Sequence, residues 1–391
     1  MIGKLKVRTR YPWFIAMVVC AGVPRPSVAQ SALPIADEVG DCTVQLREVL
    51  RLGDSGDPGT IGSRPEITRT AAGHYVVASV ENRGQLLVFD SDGAFLEVRG
   101  GNGDGPGEYR VPGRMRPGSD GSLRILDLVN RRITHLSPDG ELLETTDIRS
   151  LHGLDFVTLA AGERHAVSGF GQIDDRLSAT TEIVGRDGVR LASLGAAPVA
   201  SWVVNFFRAP VALDGRGRVW TTRAGGYGFA AWDPDGGSEP LARLAGEPDW
   251  FDPGPPQPGA PVSAPAPSIV ISLRVDRGLL WAGTWVADEN REAGAAAPSP
   301  LELDRLLDTV LDVIDPASGA LIARTRRDEA LRGTGDDALL FGVREDGGIA
   351  RAVIFEPVLT GPDCPAAIGL LGAHARRVSA GAYLYRDACR F

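Results

Sequence analysis

The chain runs to 391 residues, 43% of them hydrophobic and 23% charged, with 50 acidic against 41 basic side chains. That apolar share supplies a buried core, and Gly (49) with Pro (28) fits many short strands joined by turns without reaching the share expected of disorder. The formal net charge of −9 argues against a nucleic-acid partner, because binding a phosphate backbone draws on a basic surface.

From the amino end, residues 1–29 predict a secretory signal peptide. Lys4, Lys6, Arg8 and Arg10 form a positive leader, Trp13 to Val23 a short apolar stretch, and Ser27-Val28-Ala29 a small-residue cleavage site. Eleven apolar residues followed by Pro24 and Pro26 fall short of the ~20 that span a bilayer as a helix. The expectation is an exported protein, periplasmic or extracellular, with no transmembrane anchor in its mature form. Cleavage after Ala29 removes five basic residues and no acidic one, leaving 36 basic against 50 acidic and a net charge of −14. Residues 30–41 read as an N-terminal linker.

Beyond residue 42 the chain repeats. Asp92-Gly93, Asp139-Gly140, Asp187-Gly188 and Asp235-Gly236 recur at intervals of 47, 48 and 48 residues, each between runs of strand character. A period of ~40–50 residues holding several short strands marks a β-propeller. Pro65, Pro112 and Pro210 open short runs that read as the inner strand, a, of a blade. A glycine turn, as at Gly73 and Gly121, leads into strand b. Strand c, the Asp-Gly hairpin and strand d follow, as in Leu86–Asp90 and Ala94–Arg99.

Val44–Leu52 reads as a d strand with no blade upstream, whereas Ala338–Val343 and Ile349–Val358 supply strands b and c with no d after them. The expected fold is therefore all-β: a six-bladed β-propeller of four-stranded antiparallel blades over residues 42–360, its ring closed by pairing of N-terminal and C-terminal strands. A C-terminal tail, 361–391, follows.

Two inserts break the period. Residues 249–268, with seven prolines, join strand d of blade four to strand a of blade five, and residues 288–307 join b to c of blade five. Strands alternate in direction, so d–a and b–c links leave the same face of the disc. Both inserts are expected there, where variable loops on a rigid scaffold carry function.

The stretch Gly103-Asp-Gly-Pro-Gly-Glu-Tyr-Arg110 with Pro112, then Ile125-Leu-Asp-Leu-Val-Asn-Arg-Arg-Ile133 and Pro138-Asp-Gly140, resembles an NHL-type repeat. It is similar in particular to exported bacterial six-bladed propellers of that kind. The likeness is strong over residues 44–143, recognisable by period to about 236 and loose beyond. It implies a binding or interaction module. Related propellers include lactonases and a metal-dependent lyase, so the alternative is a metal-dependent extracytoplasmic hydrolase or lyase working in the channel. No catalytic residue of such relatives carries over.

The chemistry-bearing residues give few local constellations. The five histidines show no zinc spacing, there is no Gly-x-Ser-x-Gly elbow, and the sequence names no cofactor. Asn130-Arg-Arg132 and Asn82-Arg83 fall in b–c loops, where recurrence at blade spacing points to structural hydrogen bonding. Arg69, Arg116 and Arg274 fall on channel-lining strands, as salt-bridge partners or as holders of a small anion. Arg110, Arg114 and Arg208 fall near the start of inner strands, and Trp250 and Phe251 open the Pro-rich insert. Together these five are the expected ligand-binding set, suited to a small anionic ligand or an acidic segment of a protein partner. Of the three cysteines of the mature chain, Cys364 and Cys389 share the tail and are the expected disulfide, with Cys42 as rival partner for either.

Overall fold

A computed structural model describes residues 31–53, 61–62, 64–159, 163–173, 176–198, 209–223, 226–237, 239–253, 268–290, 306–335, 339–346, 348–362 and 364. The predicted signal peptide, most of both inserts, Arg208 and Cys389 lie outside these residues. The described part is six antiparallel blades. Blade one is Glu66–Arg69, Tyr75–Ala78, Gln85–Phe89 and Phe95–Gly100. Blade two is Pro112–Pro117, Leu123–Asp127, Arg132–Leu136 and Leu142–Asp147. Blade three is His152–Thr158, Arg164–Ile173, Arg176–Gly185 and Arg190–Pro198. Blade four is Val211–Leu213, Val219–Thr222, Tyr227–Trp232 and Ala242–Gly246. Blade five is Ile269–Asp276, Leu279–Ala287, Leu307–Ile314 and Leu321–Arg327.

Blade six is composite, as the sequence predicts. Arg332–Gly333, Leu340–Asp346 and Ile349–Thr360 supply strands a to c, and Thr43–Leu52 supplies strand d. The closing strands run antiparallel from Thr43↔Thr360 to Leu52↔Ala352. This closure also decides the disulfide, which joins Cys42 to Cys364 with Cα atoms 5.7 Å apart. The expected Cys364–Cys389 pairing is thereby corrected. Cys42 directly precedes strand d of the closing blade and Cys364 follows strand c by four residues, so ring closure outweighs nearness in sequence.

Local chemistry accounts for the repeat. Gly93, Gly140 and Gly188 hold φ of 88°, 87° and 80°, a left-handed backbone that favours glycine. In blade one the Asp90 carboxylate accepts the amides of Asp92 and Ala94, each at 2.9 Å, fixing the hairpin. Middle strands are buried on both faces, so Tyr75–Ala78, strand b of blade one, and Leu307–Ile314, strand c of blade five, are apolar and buried over most of their length. The core lies between neighbouring blades: Val76, Ala78 and Leu86 of blade one pack with Met115, Ile125 and Leu136 of blade two.

The segment before the closing strand covers part of the outer rim. Leu33–Pro34 pairs parallel with strand d of blade four, Leu33 opposite Leu244. Ile35, Ala36 and Gly40 then donate their amides to the carbonyls of Ala245, Gly319 and Leu321, stepping from blade four to blade five.

Candidate functional site

The Gly-rich link into blade two is a clamp. The fully buried Asp127 carboxylate, at the end of strand b, accepts the amides of Arg110 (2.9 Å), Val111 (3.2 Å), Val129 (3.2 Å) and Asn130 (3.1 Å). It ties the d–a link to the b–c turn. Arg132 donates to the carbonyls of Asp104, Gly105 and Glu108 at 2.8, 3.0 and 2.8 Å, and Asn130 to that of Gly103 at 3.1 Å. Asn130 and Arg132 of the b–c turn are thus structural, and the d–a and b–c links share one face. Arg110 lies on this clamp and pairs with Asp104 through two 2.9 Å hydrogen bonds. That guanidinium holds the Asp104 carboxyl below the usual carboxylate range.

Arg114 and Arg116 project from the next strand toward the channel. Arg116 is buried and spends its donors on three other blades. It bonds the carbonyls of Phe156 (2.8 Å), Gly335 (2.9 Å) and Val211 (3.1 Å) and the Asp155 carboxylate (2.9 and 3.1 Å). Asp155 also accepts the amide of Val211, at 3.2 Å. One ion pair therefore joins blades two, three, four and six. Gly335 can approach only because it lacks a side chain: a Cβ there would sit 1.7 Å from the Met115 carbonyl oxygen. Arg114 lies in the same group, 2.9 Å from the Gly333 carbonyl and 3.3 Å from both Glu66 and Asp155.

Trp250 and Phe251 occupy a different place. Their rings meet each other at 5.9 Å and Tyr227 at 5.2 and 5.6 Å, and they pack on the core between blades four and five. Arg324 lies over the Trp250 ring at 4.9 Å and grips Asp312 at 2.7 and 2.8 Å, while the Tyr227 hydroxyl donates to the same carboxylate. Burial, reinforced by Asp312, pushes the Tyr227 hydroxyl well above its ordinary value. The expected set is thus divided. Arg114 takes these partners from blades one, three and six, Trp250 and Phe251 take theirs from blades four and five, and Arg110 stays on its own link.

Blade five adds an acidic group at the same face. Carboxylate oxygens of Asp288, Asp308 and Asp328 lie within 4.8 Å of one another, a donor set of the type that holds a divalent cation. Arg326 already neutralises part of it, donating to Asp308 at 2.6 Å and to the Ala287 carbonyl at 3.0 Å. Burial still raises the Asp308 carboxyl above its ordinary value. Sequence reading missed this trio because its members sit at three strand ends far apart in the chain. Asp155 carried a fainter signal, a single charge inside the apolar run Leu154–Val157.

The fold and this channel define a six-bladed β-propeller. Residues 62–164 match a family model described as 6-bladed beta-propeller, DUF5128. Among solved structures the chain is similar to a Bacteroides fragilis NCTC 9343 protein assigned as exported, at 10% identity and TM-score 0.54, covering 85% of this chain and 100% of that one. It is similar also to a member of the duf4221 family from Bacteroides vulgatus ATCC 8482, at 10% identity and TM-score 0.51, covering 82% and 99%. At such identity the likeness bears on fold alone. No curated protein matches the sequence. Among the described residues no helix is long and apolar enough to cross a membrane.

Proposed function

We propose that this protein is an extracytoplasmic binding module, a rigid disc that recognises a partner by its surface. Arg116 carries the reading. A channel that turns over substrate needs polar groups held free for it, whereas this guanidinium is committed to Asp155 and to carbonyls of three blades. The same commitment governs Arg110 and Arg114, each paired with a carboxylate. Of the two partner classes expected from the sequence, a protein segment is therefore favoured over a small anion, which would have to displace those carboxylates. The leader-like residues 1–29 support action outside the cytoplasm.

The test is elemental analysis of the purified mature protein, followed by assay against a panel of lactones and esters. The expected outcome is no stoichiometric divalent metal and no hydrolysis. A stoichiometric metal whose chelation abolishes lactone hydrolysis would replace this reading with the metal-dependent enzyme, and the Asp288, Asp308 and Asp328 group would be its first candidate.

A further inference from the structure

Among the described residues, a chain segment lies along the outer edge of blades four and five and none lies along that of blades one to three. Each blade ends in a d strand whose outer edge faces away from its own strand c. On blades four and five that edge is occupied by the chain's own residues: Leu33–Pro34 lies parallel to strand d of blade four, and Val39 forms a parallel bridge to Leu321 of blade five. The contact on blade five has a defined chemistry. The Gly40 amide donates to the Leu321 carbonyl at 2.8 Å, the Gly40 backbone lies against that of Ile322, and the partly buried Ile322 side chain packs on the cluster that holds Cys42 and Val44.

Those two positions recur in the bare blades. Leu321 is the second residue after its turn glycine and pairs with Ile314 beside a bulge. Phe95, Leu142 and Arg190 stand second after theirs, pair with Phe89, Leu136 and Val184, and lie beside bulges too. Ile322, third after the glycine, corresponds to Leu96, Leu143 and Leu191. Where Ile322 is partly buried, these three are 48%, 55% and 56% exposed. Val98 and Leu142 add further exposed apolar surface on the same strands, and Val189 does so in the turn just before the third. Solvent-facing edge strands are normally blunted by charge, cover or irregularity, because their unpaired backbone groups accept a further strand. A row of leucines repeated at blade spacing does the opposite.

We propose that the d strands of blades one to three form a docking surface for an extended segment of a partner protein, taken up as residues 39–40 are taken up by blade five. The segment donates backbone amides to the carbonyls of Phe95, Leu142 or Arg190, and its alternate aliphatic side chains pack on Leu96, Leu143 and Leu191. Backbone pairing gives affinity and the leucine row gives register, as in other strand-addition complexes. The choice of a segment rests on continuity with the part of the rim, on blades four and five, that this chain itself covers. The inference goes beyond the reading of the channel, and its experiment is independent of metal content and hydrolysis.

The test uses the mature protein and, as probe, a labelled peptide of residues 32–41 supplied in trans, followed by fluorescence anisotropy and hydrogen exchange. The expected result is saturable binding that slows exchange in Phe95–Gly100, Leu142–Asp147 or Arg190–Pro198. It should weaken at least tenfold in the combined Leu96→Glu, Leu143→Glu and Leu191→Glu variant at unchanged melting temperature. If the combined variant fails to fold, Leu143→Glu alone should weaken binding about threefold. No saturable binding overturns the proposal, as does binding indifferent to these substitutions or protection confined to Ala242–Gly246 and Leu321–Arg327. A wild-type dimer that the combined variant dissociates would assign the rim to a second copy and overturn the partner segment.

Discussion

Arg116 and Asp155 meet at 2.9 Å inside the ring, both buried, as the shorter of two ion pairs through which blade two grips blade three at the channel, Arg114 standing 3.3 Å from the same carboxylate. Removing one partner leaves an uncompensated buried charge, which costs about 3–5 kcal/mol. Arg116→Met or Asp155→Leu alone should lose that much in denaturant unfolding. The double variant should recover a large part of it, because no charge is then stranded. Single variants within about 1 kcal/mol of wild type would show that the pair does not hold the ring.

Peptide mapping without reduction should return Cys42 linked to Cys364. The bond closes a sequence separation of 322 residues, and loss of a native disulfide costs about 2–5 kcal/mol. Cys42→Ser and Cys364→Ser should therefore destabilise the protein equally, and the double variant no further. A Cys364–Cys389 peptide would refute the closure described above.

His165 gives the fold an acid limit. It is buried against Phe156, with Thr158 Oγ1 3.2 Å from its Nδ1. Burial, with Arg124 and His135 nearby, lowers its pKa from 6.5 to about 4. Between those values the unfolded chain binds a proton that the folded imidazole refuses. The contribution is thus complete above pH 6.5 and is lost as pH falls toward 4, amounting to about 3 kcal/mol at most. The stability–pH profile of His165→Gln should be flatter than wild type across that window. Parallel profiles would remove His165 as the cause.

Asp127→Ala withdraws the acceptor of four backbone amides at once. A loss of about 3 kcal/mol is expected, since each stranded buried donor costs ~1–3 kcal/mol and some regain water. Hydrogen exchange should accelerate first at Arg110, Val111, Val129 and Asn130. Unchanged exchange there would mean that the link is held by Arg132 alone.

The architecture was legible because its signals are local and periodic. Asp-Gly hairpins need particular residues at particular offsets, and the orphan run Val44–Leu52 demanded a partner that Ile349–Thr360 provides. The candidate site was legible only in part, because a propeller builds its centre from distant strands. Position on an inner strand placed Arg114 and Arg116 at the channel. Nothing near them in sequence announced Asp155, the Gly333 carbonyl or Gly335, which consume their charge and donors. Nothing beside Trp250 and Phe251 in sequence showed what they pack on, because their partners, Tyr227 and Arg324, lie in two different blades.

The bond between Cys42 and Cys364 makes the whole propeller one covalent loop. A protease that cuts a single bare turn, at Asp139-Gly140 or Asp187-Gly188 for example, would leave both products tethered through that bond. Their outer strands would still be paired in the closing blade. The nicked molecule would keep its mass and migrate intact until a reductant separated the pieces. Wherever proteases are common and thiols scarce, damage to one turn would therefore leave the disc closed and in one piece.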